Sequence, residues 1–110
     1  MARILLIGGS PELEEALVAR GHAVRALPEP EHLGAILPEL QGVSALAWFG
    51  APELLDSLAT KLVDTHVRGF ACEPSGETIA HRFAATYGMP TAVIRGGLDD
   101  AVRAVESLIT

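Results

Sequence analysis

The amino-acid sequence predicts a parallel α/β domain, in which helices cover both faces of a five-stranded sheet in a three-layer sandwich. Apolar segments alternate along the chain with segments of helical periodicity, the pattern of repeated strand–helix units. The composition agrees, since 49% of the residues are hydrophobic and only 5% are aromatic, so Leu, Ile, Val and Ala must fill the core. A chain of 110 residues has room for one such core, and we expect a single domain over residues 1–110.

The first strand–helix unit shows this pattern most clearly. Residues 4–7 form a continuous apolar run closed by glycine, as expected for a strand that is buried on both faces. Ser10 then offers a helix N-cap, Pro11 suits the first helical position, and Gly21 ends the helix. The unit is therefore a buried strand followed by a helix of about three turns.

The other elements follow by the same reasoning. Pro38 lies near the C-terminal end of one predicted helix, residues 31–40, and should shorten or distort it. Trp48 falls within a predicted strand and is expected in the core. Strictly alternating units imply right-handed crossovers and parallel strands. The further strands are predicted at residues 22–27, 43–49, 66–72 and 91–94, and the further helices at residues 31–40, 52–63, 77–87 and 98–109.

Charge and cysteine content exclude several classes of function. The net charge is −6 and no cluster of Lys and Arg exists, which argues against nucleic acid and anionic membranes as partners. The single cysteine, Cys72, excludes an internal disulfide framework and fits a reducing compartment. The segment at residues 3–7 is too short for the apolar region of a signal peptide, and no apolar run approaches the roughly 18 residues of a membrane span. We expect a cytoplasmic protein.

Four segments carry a resemblance to a known family. Residues 4–10 (ILLIGGS) with residues 17–27 (LVARGHAVRAL) resemble the opening of an atypical or extended short-chain dehydrogenase/reductase, an NAD(P)-binding family with a Rossmann-like fold. Residues 42–47 (GVSALA), 67–70 (VRGF) and 87–97 (YGMPTAVIRGG) are similar to that family's fourth, fifth and sixth strands, in the same order. The resemblance touches most of the chain, and it implies a nucleotide-binding ancestry.

One departure from the family concerns the sheet. The family has a strand between its second helix and the Gly-Val strand, whereas here residues 31–40 lead directly into Gly42 and Val43. Removing that edge strand from the family's order 3-2-1-4-5-6 leaves 2-1-4-5-6. Renumbered along this chain, the predicted order is 2-1-3-4-5, which is flavodoxin-like.

Two further departures concern cofactor and catalysis. The dinucleotide loop should carry three spaced glycines, but here Gly8 and Gly9 are followed by Ser10, Pro11 and several glutamates, which place negative charge where a pyrophosphate would sit. The family's catalytic Tyr-x-x-x-Lys is also missing, because the only tyrosine and the only lysine lie in different predicted helices. We therefore predict no catalytic residues of the family's kind and no certain cofactor, with NAD possible.

Candidate cofactor-binding residues lie where ligands of open α/β sheets bind, at the carboxyl ends of the strands. The glycine loop either holds a phosphate or is an ordinary turn with Ser10 as the helix cap. Glu29 either contacts the ribose hydroxyls, which would favour NAD over NADP, or is a solvated loop residue. The candidates are Gly8, Gly9, Ser10, Glu29, Phe49, Gly50, Ser75 and Arg95.

Three of the residues near this rim have competing interpretations. Ser75 lies near the family's active-site serine, but a cap for the following helix is the simpler role. Arg95 is expected either to bind an anion or to pair with Glu73. Cys72 is better interpreted as a packed free thiol than as a reactive one. The histidines have no spacing typical of a metal site, so no metal is predicted: His22, His32, His66 and His81.

Two hypotheses of function remain. The first is a degenerate NAD(P)-binding-like domain without dehydrogenase catalysis, which senses a nucleotide or contacts a protein, and which forms a homodimer as the family does. The alternative is a small NAD-dependent oxidoreductase that binds its cofactor in an altered mode. A receiver-like module would need a phospho-acceptor Asp after the third strand, where this chain has Phe49 and Gly50. A wide apolar stripe at Leu54, Leu55, Leu58, Leu62 and Val63, and a small-residue surface at Ala80 and Ala84, support the dimer.

Overall fold

The computed structural model describes residues 2–109 and contains a five-stranded, all-parallel sheet with the strand order β2-β1-β3-β4-β5. The predicted fold class and strand order are confirmed. The strands are β1 (Arg3–Ile7), β2 (Ala23–Leu27), β3 (Ala45–Trp48), β4 (Gly69–Cys72) and β5 (Thr91–Val93). The α-helices of the described residues are α1 (Pro11–Ala19), α2 (Pro52–Leu62), α3 (Glu77–Tyr87) and α4 (Leu98–Ser107).

The strand register aligns the carboxyl ends of the strands in one row. Ile7 at the end of β1 pairs with Leu27 of β2 on one side and with Trp48 of β3 on the other. The row continues from Trp48 to Cys72 of β4 and from Cys72 to Val93 of β5. Chain winding reverses between β1 and β3, so the loops after these two strands flank the switch point of the sheet.

Alternate side chains of each strand fill two cores of different character. The core beneath α2 and α3 takes the large side chains of β3 and β4, Leu46, Trp48 and Phe70. The core beneath α1 and α4 takes only alanines from the same strands, which are Ala45, Ala47 and Ala71. Small side chains let a helix approach the sheet closely, and β3 and β4 present alanines to α1 and α4.

The connection between β2 and β3 differs from its prediction. Residues 31–40 form two 3₁₀ helices, Leu33–Ala35 and Leu37–Leu40, instead of one α-helix. Pro38 has no backbone N–H to donate four residues back, and the Glu39 N–H instead bonds the Ile36 carbonyl at 2.7 Å, three residues back. Of the apolar residues in this segment, Ile36 and Leu40 are buried in the core, whereas Leu37 is exposed.

Other bounds differ by a few residues. Strand β4 begins at Gly69 rather than at residue 66, because Thr65 holds the preceding turn: its hydroxyl donates to the Leu62 carbonyl and accepts from the Val67 N–H.

Trp48 is in the core as predicted, with 1% of its surface exposed, and its indole N–H donates to the Ala51 carbonyl at 3.0 Å. Within residues 2–109, no helix has both the length and the apolar character that crossing a membrane requires.

Candidate functional site at the switch point

A crevice of about 320 Å³ opens at the carboxyl ends of the strands, between the first turns of α1 and α4. We call it the switch-point crevice, because it lies beside the loops that follow β1 and β3. Leu13 of α1, Ile94 after β5 and Ala101 of α4 are buried and form its floor. Half-buried Phe49 and exposed Leu98 form its walls. The crevice is therefore a mainly apolar pocket in the position where ligands of open α/β sheets bind.

The polar rim of the crevice carries negative charge. Glu12 lies in the first turn of α1 and Glu73 follows β4 directly, and both are exposed. None of the residues that line the crevice is Lys or Arg. Two carboxylates with no Lys or Arg in the lining disfavour a phosphate on the rim. Neither Glu12 nor the crevice-lining residues of α4 are among the candidates named from the sequence.

Ser10 caps α1, as one of its two interpretations expected. Its Oγ accepts a hydrogen bond from the Leu13 N–H at 3.3 Å, and Pro11 occupies the first helical position. The hydroxyl therefore has a structural role at the crevice rim. It also satisfies one of the N–H groups that a phosphate at this helix start would need.

The glycine loop is covered by an aromatic ring. Gly8 has a φ of 74°, and its N–H donates to the Leu27 carbonyl at 2.9 Å. A Cβ atom added to Gly9 would lie 3.4 Å from two ring carbons of Phe49. Glycine is thus explained at Gly8 by the left-handed conformation, whereas a Cβ at Gly9 would make ordinary van der Waals contact with the ring. The Phe49 ring lies against the backbone of this loop.

Glu29 joins the loops after β2 and β3. Its Oε1 accepts a hydrogen bond from the N–H of Ala51, the N-cap residue of α2, at 2.7 Å. A Cβ atom at Gly50 would lie 2.8 Å from the same carboxyl group, so glycine is required for this approach. Glu29 is exposed, but one carboxylate oxygen is already engaged by the protein and the side chain does not line the crevice.

Arg95 and its neighbours form contacts within the protein. The guanidinium pairs with the Glu77 carboxylate at the start of α3, so the expected partner, Glu73, was wrong. Asp100 Oδ2 accepts the N–H groups of Arg95 and of Gly96, each at 2.9 Å. These two backbone bonds, that of Gly96 first, hold the pKa of Asp100 below its usual value. Arg95 is therefore held at α3, and the loop's N–H groups are occupied by Asp100.

Ser75 does not cap α3, and that prediction was wrong. It lies in a 3₁₀ helix, Pro74–Gly76, and Gly76 is the residue that precedes α3, with no side-chain cap. The extra turn displaces Ser75 from the capping position and leaves it exposed. Gly76 is needed for packing, because a Cβ atom there would lie 3.0 Å from Leu55 and 3.2 Å from the Cys72 sulfur.

Cys72 is a packed thiol, as expected. It is buried at the end of β4, with 1% of its surface exposed. Burial, followed by the nearby Glu73 charge, raises its pKa to about 11. The nucleophilic thiolate is therefore scarce at neutral pH, and the structure gives no support to the reactive-thiol interpretation.

The remaining acid–base candidates lie away from the crevice. Tyr87 ends α3, and its ring stacks on Phe83 with the centroids 5.3 Å apart. Lys61 lies in the last turn of α2. Both helices start at the carboxyl ends of the strands, so these side chains lie towards the opposite end of the sheet. Among residues 2–109, no group of three His, Cys, Asp or Glu side chains has a metal-binding arrangement.

In comparisons with known proteins, no family model, curated protein or solved structure matches the chain.

Proposed function

We propose that this chain is a non-catalytic binding module, a degenerate member of the NAD(P)-binding-like Rossmann domains that performs no dehydrogenase chemistry. It senses a small ligand, of nucleotide size at most, at the switch-point crevice, or it acts through protein contacts as a homodimer. The observation that carries this proposal is the contact between Phe49 and Gly9. An aromatic ring covers the loop that the resembling family uses for its cofactor.

The charge around the crevice supports the same proposal. A dinucleotide brings a pyrophosphate that needs backbone N–H groups and a positive or neutral surrounding. Here Glu12 and Glu73 are on the rim. Arg95, which lies in sequence between two crevice-lining residues, pairs with Glu77. The tyrosine and lysine of the family's catalytic pair have no counterpart at the crevice. These features favour binding without hydride transfer.

The size of the crevice limits the ligand. Small-molecule pockets span about 300–1,000 Å³, and the crevice, at about 320 Å³, lies near the lower end of that range. A ligand smaller than a full dinucleotide fits such a volume better. The sensing part of the proposal is therefore restricted to small ligands.

The homodimer part of the proposal places the contact on α2 and α3, because the family dimerises through helices in corresponding positions. Each of these helices ends beside an exposed large apolar side chain, Val63 with 39% and Tyr87 with 53% of its surface exposed. Light scattering over a range of concentrations tests this part. We expect a dimer that V63S and Y87S weaken and that V18S, on the distant α1, leaves intact. A monomer at all concentrations contradicts it.

Ligand titration during thermal unfolding tests the cofactor part. NAD, NADP, FAD, FMN and ATP are added separately to nucleotide-stripped protein. A ligand at about a hundred times its Kd stabilises the native state by about 2.7 kcal/mol. In a domain of this size, that raises Tm on the order of ten degrees. We expect no such shift with NAD, NADP or FAD, and a saturable shift with any of these three overturns the proposal.

A second candidate function is favoured by the position of Glu29. Glu29 follows β2, where the resembling family places the acid that contacts the ribose. The alternative is therefore a small NAD-dependent enzyme with an altered binding mode. This alternative predicts a Tm shift with NAD that E29Q removes and E31Q, in the same loop, retains. A cytoplasmic location belongs to both candidates, because the free Cys72 thiol fits a reducing compartment.

A further inference from the structure

We infer that the switch-point crevice binds a small organic cation, a protonated amine with an apolar body. This inference rests on the proposed function, because it requires that the crevice is not the seat of a dinucleotide. It names the chemical class of the ligand, which neither the fold nor the family resemblance specifies.

The apolar interior of the crevice favours a ligand with an apolar body. Leu13, Ile94 and Ala101 are each at most 6% exposed and form a floor without a polar side chain. Leu98, which is 43% exposed, leaves apolar surface at the opening. Apolar ligand surface that packs against such walls is removed from water, which favours binding. A purely ionic ligand, such as a metal ion, would make no use of these walls.

The polar rim fixes the sign of the ligand's charge. Glu12 and Glu73 stand on the rim without a basic residue among the lining. The aromatic ring of Phe49 forms the adjacent wall, and aromatic rings attract cations through their quadrupole. A positively charged head group therefore finds two carboxylates and a ring, whereas a carboxylate or phosphate would be repelled.

Hydrogen-bond donors around the crevice lead to the same conclusion independently. An anion at a helix start depends on backbone N–H groups. At α1 the Leu13 N–H already donates to Ser10 Oγ, and Pro11 has no N–H to offer. At the α4 end the N–H groups of Arg95 and Gly96 both donate to Asp100. The protein's own acceptors thus occupy three of the N–H donors that an anion could use, although the first N–H groups of α4 have no side-chain cap, while the acceptors Glu12 and Glu73 remain on the rim.

Isothermal titration with a charge series tests the inference. The probes share one apolar body and differ in the head group: 2-phenylethylammonium, 2-phenylethanol and 3-phenylpropionate, with n-butylammonium as a second cation. We expect the phenylethylammonium ion to bind about tenfold more tightly than the alcohol, since two exposed carboxylates contribute and each is worth about threefold. The propionate should bind most weakly, and raising the salt concentration should reduce the advantage of the cation.

Matched variants locate the binding. E12Q and E73Q should each weaken binding of the ammonium ion about threefold without changing that of the alcohol. E53Q is the control, because Glu53 is an exposed carboxylate in the first turn of α2, outside the crevice. L98A should weaken binding of both probes, and V18A, a similarly exposed apolar residue of α1, should weaken neither.

Each outcome has a definite meaning. Equal affinity for cation and alcohol, tighter binding of the propionate, or no heat with either cation up to millimolar concentration overturns the inference. Loss of ammonium binding in E53Q as large as in E73Q overturns it as well. A parallel titration with NAD separates this from the proposed function: NAD binding at the crevice overturns both, whereas absence of binding by NAD and by the amines overturns the cation inference alone.

Discussion

The carboxylate of Glu29 accepts a hydrogen bond from the Ala51 N–H at 2.7 Å and so ties the loop after β2 to the start of α2. The N-cap position of a helix has N–H groups nearby that need partners, and α2 has no cap from its own N-cap side chain. A side chain that is distant in sequence therefore supports this helix start. The contact also fixes the loops on both sides of β1, beside the switch-point crevice.

Removing this carboxylate should destabilise the protein modestly. We expect E29A to lower the free energy of unfolding by about 1 kcal/mol, the usual value for the loss of a partly exposed hydrogen bond at a helix start. Urea unfolding measures the effect. E31A, an exposed carboxylate in the same loop, is the control and should change little. Equal stability of E29A and the unmodified protein would show that the contact contributes nothing in solution.

A second variant should act through the same carboxylate. A Cβ atom at Gly50 would come within 2.8 Å of the Glu29 carboxyl group, which is the mobile end of a side chain. We therefore expect G50A to displace Glu29 and to cost about as much as E29A. The double variant should cost clearly less than the sum of the two, because each change removes the same contact. Additive effects in this double-mutant cycle would contradict the coupling.

Gly69 at the start of β4 should tolerate no side chain. A Cβ atom there would lie 2.0 Å from the Pro90 carbonyl oxygen, which is backbone held beside β5. We expect G69A to cost roughly 3 kcal/mol, since strands β4 and β5 must separate or distort to relieve the clash. G97A is the control, because a Cβ atom at Gly97 meets no atom within 4 Å. Similar urea midpoints for the two variants would contradict this packing.

Hydropathy pattern and glycine positions predicted the fold class, whereas the strand order was predicted from the family resemblance. Buried parallel strands are apolar at every position, as in residues 4–7, and this signal is local in the sequence. The predicted helix at residues 31–40 was wrong because its apolar periodicity is compatible with two 3₁₀ helices, and Pro38 decided between them. Apolar periodicity indicates which side chains are buried but not the type of helix. Ile36 and Leu40 are buried although the predicted α-helix does not form.

The site was predicted less completely, because its contacts are not local. The sequence placed Ser10 and Phe49 on the crevice rim, and both line it. It could not show that Glu77 rather than Glu73 pairs with Arg95, since both carboxylates follow β4 within a few residues and the extra 3₁₀ helix decides their positions. The covering of Gly9 by Phe49 depends on a side-chain direction that no sequence pattern specifies.

A pH dependence of stability should arise at the C-terminal ends of α1 and α4, opposite the crevice. Glu106 of α4 accepts from Arg20 Nε at 2.8 Å and lies 2.9 Å from His22 Nε2. Arg20, followed by His22, holds the pKa of Glu106 below its usual value. A carboxyl group with a depressed folded pKa stabilises the protein above its unfolded pKa, and this contribution is lost as pH falls through the folded pKa.

The E106Q variant tests this linkage. The unfolded pKa of a glutamate is about 4.3, so the excess stability of the unmodified protein over E106Q should be constant near neutral pH and should shrink below about pH 4. Urea midpoints measured between pH 3 and pH 7 give this difference directly. Asp100, whose pKa is also depressed, remains in both proteins and cancels in the comparison. A difference that persists unchanged at pH 3 would contradict the role of Glu106.

Cys72 predicts a second pH dependence, of opposite sign. Burial raises the pKa of its thiol from 9.0 to about 11. Its neutral form therefore stabilises the native state fully below pH 9, and this contribution is lost as pH rises towards 11. We expect the native thiol to react with an aromatic disulfide far more slowly than the thiol in urea-unfolded protein, because reaction requires both exposure and the thiolate. C72A should retain more of its neutral-pH stability at pH 10 than the unmodified protein does. Rapid modification of the native protein at pH 7 would show instead that the end of β4 opens readily and exposes the Cys72 thiol to solvent.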